Sequence, residues 1–436
     1  MAFSLHGVHV PHRKNTANTS AQKLPVPTSV TLPMSMHIGK PAVPVVKVGD
    51  TVYVGTLVAE QDGLISSPVY SSVSGKVSKI TDIPLSNGMT SKAIIIESDG
   101  EMTTDPSITP PIISSADDLV DAIKKSGVVG LGGAGFPTYV KFKVDLSLIE
   151  ELVINGAECE PYITSDSNTM TDHSDDMAIA ISAIEKHFGI KKIIIGIENN
   201  KKAAINSMKR LAAADPKITV KVLPSVYPQG GEKVLVYHTT KKTIPAGKLP
   251  IDVGCIVCNC TTIAAIGSYL RSGMPLVKKC VTVDGGAIKE PKKVIVPIGT
   301  PISDLLDFCG GFKEEPTKVL YGGPMMGVTV PNVSLPILKN TNAIVALSKK
   351  EAAIKEPTAC IRCGACTNHC PFGINPAQIA RALKKNDTEK LKKLRPDLCM
   401  ECGCCSFICP ANKPLVQTNK LAKALLKEEQ AKEDKK

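Results

Sequence analysis

Residues 24–97 alternate short β-branched runs with Gly, Pro and Asp, as in VTLPM, VVKVGDTVYVGTLVAE, SSVSGKVSKI and KAIIIES. Apolar and polar positions alternating over such lengths, with turn residues between them, predict a small all-β module within residues 1–100. The rhythm changes from about 115 to 270. There helical patterns (DDLVDAIKKSG, DDMAIAISAIEKHFG, KKAAINSMKRLAAA) take turns with short apolar runs (ELVING, KKIIIGIE, ITVKVLP). A helix from about Asp172 feeding a buried strand at 192–197 predicts an α/β domain with a mainly parallel sheet, whose ligands sit at the carboxyl ends of the strands. Residues 276–335 return to short strands and glycines (VTVDGG, KKVIVPIGTP, KVLYGGPMMG), which predicts a third compact domain. A cysteine-rich module follows at 349–415. The tail, 416–436, is helix-prone and charged, and is expected to be a solvated helix or disordered.

Several domains are what 436 residues suggest. A long uncharged stretch, 253–270, carries Asn259, Thr261, Thr262, Ser268 and two glycines and is too polar for a spanning helix. The N-terminus lacks the apolar core of a secretory signal, so a cytoplasmic chain is expected. The net charge of +11 is concentrated at the end: residues 349–436 hold 18 basic and 10 acidic side chains, or +8. With no Trp and 4% aromatics, stacking on single-stranded nucleic acid is not expected. Acidic protein partners or a membrane surface suit the basic end better.

Nine of the 15 cysteines fall between Cys360 and Cys409. In a reducing compartment they do not read as disulfides. Two runs share the spacing C-x2-C-x2-C-x3-C-P: Cys360, Cys363, Cys366, Cys370 and then Cys399, Cys402, Cys405, Cys409. In two-cluster bacterial ferredoxins this spacing gives three thiolates to one 4Fe-4S cubane and the fourth to the other. One cluster is therefore expected on Cys360, Cys363, Cys366 and Cys409, and a second on Cys370, Cys399, Cys402 and Cys405. Zinc would require closed sets of four, which these runs fit poorly. Cys404, off the register, is expected to be a packed thiol.

Five glycines crowd residues 127–135 (GVVGLGGAG), with Lys141 one helical turn beyond. Such a loop lets backbone amides approach phosphate oxygens, but it matches neither the dinucleotide fingerprint nor the P-loop. Its wider context is more telling. GxGGAGFPTxxKF, then Asn155-Gly-Ala-Glu158-Cys-Glu160-Pro with Asp166, then Tyr227-Pro-Gln-Gly230-Gly-Glu232 and Asn259-Cys-Thr-Thr262, resemble the flavin and NADH site of the NuoF subunit of respiratory complex I. Ala157 and Lys233 replace acidic residues of that pattern.

Taken whole, residues 1–415 resemble the RnfC family, the subunit of the Rnf ion-translocating ferredoxin:NAD oxidoreductase that joins a NuoF-like domain to a two-cluster ferredoxin. The resemblance implies an α/β multidomain chain: an N-terminal β barrel-sandwich hybrid (1–100), a NuoF-like FMN/NADH domain (115–270), a small β-grasp, SLBB-like domain (276–335) and a helical ferredoxin domain (349–415). The barrel-sandwich hybrid resembles lipoyl carriers, but its tip, LISSPVYSS, lacks their modifiable lysine, and a structural role is expected. The implied cofactors are FMN, NAD(H) and two 4Fe-4S clusters. Gly130, Gly132, Gly133, Gly135, Phe136, Lys141, Asn155, Glu158, Glu160, Asp166, Tyr227, Gly230, Glu232, Asn259 and Thr262 are the implied flavin and nucleotide contacts. Other Rnf subunits, NADH and, indirectly, ferredoxin are the implied partners, at the cytoplasmic face of the cell membrane with peripheral attachment. A cobalamin reductase-type flavoprotein, in which the sandwich module follows the ferredoxin, and a non-catalytic electron-transfer adaptor are the alternatives.

Overall fold

The computed structural model describes residues 6–433, and for Leu146 the backbone alone. Met1, Ala2 and the last three residues, 434–436, where no lipidation motif is expected, lie outside the described residues.

The first domain is a sandwich of two antiparallel sheets. Strands Ser29–Pro33, Thr90–Ser98, Gly75–Pro84 and Thr51–Val52 form one, and Val43–Pro44, Leu57–Glu60 and Val69–Tyr70 the other. Their inward positions (Val30, Leu32, Val58, Val69, Val77, Ile94, Ile96) make one fully buried cluster. The tip expected to be structural packs on the next domain: the hydroxyl of Tyr139 donates to the carbonyl of Leu64.

In the second domain four parallel strands lie in the order Ile218–Leu223, Lys192–Glu198, Glu151–Gly156, Cys255–Asn259. Helices cover both faces, which is why Ile193, Ile194, Ile195 and Ile197 are all buried in one strand. Helices Ala116–Lys125, Ser174–Phe188 and Cys260–Ser272 pack on one face. Helix Glu232–Thr240 covers the other through Leu235 and Val236. Helix Ser174–Phe188 ends at Gly189, whose φ of +64° forms a left-handed cap. The chain builds outward from Glu151–Gly156 on one side and returns with Cys255–Asn259 on the other. The order thus reverses beside Asn155 and Asn259, which stand opposite each other at the strand ends.

The third domain holds a mixed sheet whose strands Lys278–Asp284, Lys292–Pro297, Lys318–Tyr321 and Val328–Thr329 are completed by Ala343–Leu347 and, from the far N-terminus, by Ala21–Lys23. That last pairing arises because residues 6–23 run across the α/β domain, where Val8 bridges Tyr227.

The cysteine module is helical: Pro376–Lys384, Thr388–Leu394 and the C-terminal helix Leu415–Glu433 surround Ile379, Leu391 and Ala422. The expected solvated tail is instead one of the walls of this module, with Leu415, Asn419 and Ala422 buried. Among the described residues no helix is long and apolar enough to cross a membrane.

Candidate cofactor sites

The glycine loop is closed at its base by a bridge between Val129 and Pro137, and the Gly130 amide donates to the Phe136 carbonyl at 2.8 Å. Its carbonyls face inward to donors. Lys279 Nζ reaches the carbonyl of Leu131 at 2.9 Å, Asn340 Nδ2 that of Gly133 at 3.0 Å, and Lys339 Nζ that of Gly127 at 2.8 Å. Thr262 Oγ1 accepts from the Leu131 amide at 3.0 Å. Gly132, Gly133 and Ala134 are left exposed, and none of their amides donates to a group among the described residues. A Cβ at Gly132 would overlap the Asn259 amide, whereas one at Gly133 would meet nothing within 4 Å. The loop therefore offers unpaired N–H groups to open space, the arrangement that suits a phosphate or a flavin edge.

Under the loop lies a hydrogen-bonded frame. Asn259 caps helix Cys260–Ser272, its Oδ1 accepting from the Thr261 amide at 2.8 Å, while its Nδ2 donates to Asp166 at 2.7 Å. Thr261 Oγ1 donates to the other Asp166 oxygen at 2.8 Å. Asn155 Nδ2 donates to the Gly230 carbonyl at 2.9 Å, and its Oδ1 accepts from the Ala157 amide. Lys141 Nζ sits 2.8 Å from the Val257 carbonyl and 3.6 Å from Glu232, while Phe136 is half-buried at the loop's end.

Glu158 and Glu160, the two acidic residues of the motif, both accept hydrogen bonds from protein groups. Glu158 is buried and accepts from the Asp166 amide at 2.8 Å and Ser167 Oγ at 3.0 Å. Burial lifts its carboxyl to about 7, against the pull of Lys14 and Lys201. Glu160 accepts from the amides of Met325 and Met326 at 3.0 and 2.8 Å, and burial raises it likewise to about 7. It thus ties the GGPMMG turn of the third domain to the α/β domain. Tyr227 is buried away from the glycine loop, its hydroxyl donating to the Cys402 carbonyl at 2.7 Å.

The thiols fall into two sets. One cavity is lined by Cys370, Cys399, Cys402 and Cys405, together with Cys404 and Asn419. A second, wider one is lined by Cys360, Cys363, Cys366 and Cys409. Each set takes its fourth thiol from the other run. Four thiols line one cavity in each set, and an all-thiolate donor set suits a cage of iron and sulfide. The backbone repeats as well. Left-handed residues Arg362, Gly364 and Gly373 recur 39 positions on as Glu401, Gly403 and Asn412, bending both runs the same way around their thiols. Cys360 and Cys363 are exposed, whereas Cys402 and Cys405 are buried.

Sequence reasoning missed Lys14, Lys279, Lys339, Asn340 and Asn419. Lys14 Nζ, for example, binds the carbonyls of Glu158, Glu160 and Ile163. None of the five lies in a motif, and only their burial or bonding across domains marks them.

Comparison with known proteins yields matches along the chain. Residues 3–101 match the RnfC barrel sandwich hybrid domain, 123–268 the Nuo51 FMN-binding domain, 280–329 the SLBB domain and 356–422 the 4Fe-4S dicluster domain. The C subunit of the Na(+)-translocating ferredoxin:NAD(+) oxidoreductase complex of Acetobacterium woodii is 42% identical over 391 residues, covering 88% of each chain. Its counterpart in the proton-translocating complex of Clostridium ljungdahlii is 40% identical, over 88% of this chain and 85% of its own. The counterpart in the ion-translocating oxidoreductase complex of Rhodobacter capsulatus is 38% identical, over 99% of this chain and 84% of its own. Among solved structures, the NAD+-reducing NiFe hydrogenase in its H2-reduced state aligns with a TM-score of 0.50 at 16% identity, over 72% of this chain and 63% of that one, a likeness of fold.

Proposed function

This chain belongs to the RnfC family, the C subunits of ion-translocating ferredoxin:NAD+ oxidoreductase complexes, and from that premise we propose how its residues serve electron transfer between NADH and ferredoxin. FMN, when bound, would convert the two electrons of one hydride from NADH into single electrons for the 4Fe-4S clusters.

The exposed amides of Gly132, Gly133 and Ala134, with Lys141 nearby, hold the flavin and nucleotide phosphates. Asn155, Asp166, Asn259 and Thr262 keep the loop open from beneath. Glu158 and Glu160 stiffen the wall of the site, and Glu158 turns to a ribose or flavin hydroxyl only by giving up its hold on Asp166 and Ser167.

The observation that carries this reading is the junction between domains. The cavity of Cys370, Cys399, Cys402 and Cys405 abuts the FMN-binding domain, since Tyr227 bonds to Cys402 and Gly231 approaches Met400. That set is the inner station. The set of Cys360, Cys363, Cys366 and Cys409 is the outer one, and Ile361, 68% exposed, lines its cavity beside the exposed thiols. An acceptor protein of the complex docks over this patch, and the chain attaches to the cytoplasmic face of the membrane through such contacts.

Gly133→Val tests the cradle, because its side chain would enter the space before the loop, where a Cβ meets no protein atom within 4 Å. Expected is loss of bound FMN and of NADH-driven dye reduction, with iron retained at about eight per chain by the two-cubane count. Undiminished NADH-dependent reduction would refute the assignment.

A further inference from the structure

The two cysteine runs are copies offset by 39 residues (360 to 399), and the offset extends into the helices behind them. Ala377, Ala380 and Lys384 of the first copy correspond to Val416, Asn419 and Lys423 of the second. Ala377, Ala380 and Lys384 line the outer thiol cavity, and Val416 and Asn419 line the inner one. At these three helix positions the copies keep a small apolar residue and a lysine and differ in character at one: alanine in the first copy, asparagine in the second.

Asn419 is fully buried, and its Nδ2 lies 3.5 Å from Cys399 Sγ. A thiolate only accepts, so the amide end that faces it is the NH2. The other end, Oδ1, has no partner. Burying an unpaired carbonyl is unfavourable, and Val416 and Ala380 show that an apolar side chain satisfies such a wall. The asparagine is therefore held against its own desolvation cost, and its visible contact is with the ligand sulfur. Cys399 Sγ also receives the Glu401 amide at 3.4 Å, and Lys423 Nζ holds the Cys399 carbonyl at 3.1 Å. Among the described residues no donor reaches Cys360 Sγ, the equivalent atom of the other copy.

We propose that Asn419 sets the reduction potential of the inner cluster apart from that of the outer one. Reduction adds one electron to a cluster whose thiolates then carry more negative charge. An N–H directed at one of them stabilises the reduced state and raises the potential, with no bond made or broken and no proton moved. The proposal rests on the reading of Cys399 as a ligand of the inner cluster and does not need Cys370 to be one.

The test is a redox titration of the purified, cluster-loaded chain followed by electron paramagnetic resonance. Asn419→Leu should lower one midpoint potential and leave the other in place, a change of roughly tenfold in the one-electron equilibrium, or ~59 mV. The potential that moves should belong to the signal lost in Cys399→Ser. The reciprocal variant Ala380→Asn should raise the other potential. Two unchanged potentials in Asn419→Leu at full iron content, or a common shift of both, would overturn the proposal. If Asn419→Leu failed to load its cluster, an unmoved pair of potentials in Ala380→Asn would overturn it instead. Failure of the crossed ligation would appear separately, as loss of the Cys360 signal rather than the Cys399 signal in Cys370→Ala.

Discussion

The phenol of Tyr227 donates to the carbonyl oxygen of Cys402 at 2.7 Å, joining residues 175 positions apart in two domains. Around that bond Val8 and Val10 of the N-terminal segment, Met325 of the third domain and Cys404 of the ferredoxin module close one apolar cluster. Four parts of the chain thus meet beside the inner thiol set. On the function proposed above, this junction sets the separation between the flavin domain and the inner thiol set.

Tyr227→Phe keeps the ring and leaves a buried carbonyl unpaired, which costs about 1–3 kcal/mol. The variant should melt at a lower temperature while retaining its FMN, as followed by circular dichroism and flavin absorbance. An unchanged melting curve would mean that the bond contributes nothing to the junction.

Cys370→Ala discriminates crossed from sequential ligation. Because Cys370 lines the cavity of Cys399, Cys402 and Cys405, its removal should abolish the inner cluster and spare the signal of the outer one. Quantified iron and electron paramagnetic resonance check this, and damage confined to the Cys360 set would show the ligands to be sequential.

Lys279→Met removes the donor that holds the Leu131 carbonyl from the third domain. The glycine loop should then lose its fixed orientation, and flavin affinity should fall by roughly tenfold, the equivalent of ~1.4 kcal/mol for one lost hydrogen bond to a charged donor. Flavin titration by fluorescence quenching measures it. Equal affinity in the variant would show that the loop holds its shape without the third domain.

Glu160 gives a pH dependence of definite sign. Burial lifts its carboxyl from the usual 4.5 to about 7, so between those values the folded chain binds more protons than the unfolded one. This group's contribution to stability is complete below about 4.5 and declines as pH rises through 7. Replacing it in Glu160→Gln should make the melting temperature fall less steeply with pH over that window. A slope identical to that of the unmodified chain would exclude this role for Glu160.

Much of this was legible from short stretches of sequence. The glycine loop, Asn155 and Asn259 are local patterns, and the parallel sheet brings the last two side by side because both end adjacent strands. The cysteine spacing repeats within a few turns of chain. What stayed hidden depends on packing between distant segments. Strand Ala21–Lys23 is three residues long and finds its partner near residue 293, so no periodicity marks it. Lys279 and Lys339 resemble surface lysines until domains close over them. The C-terminal helix reads as a solvated tail because its buried face includes Asn419, a polar residue where a stripe of apolar ones would have betrayed the contact. Conversely, Glu158 and Glu160 carry the motif of a ligand site while their carboxylates are bound to the protein, a distinction that depends on side-chain direction.

The most direct measurement is the absorption spectrum of the purified chain before and after anaerobic addition of NADH. A flavin band with acid-releasable FMN, above a broad iron-sulfur shoulder, is predicted, and NADH should bleach first the flavin and then the shoulder. A chain with a full complement of iron but no flavin, or one whose shoulder survives NADH while its flavin is reduced, would contradict electron transfer from the glycine-loop site to the thiol cages.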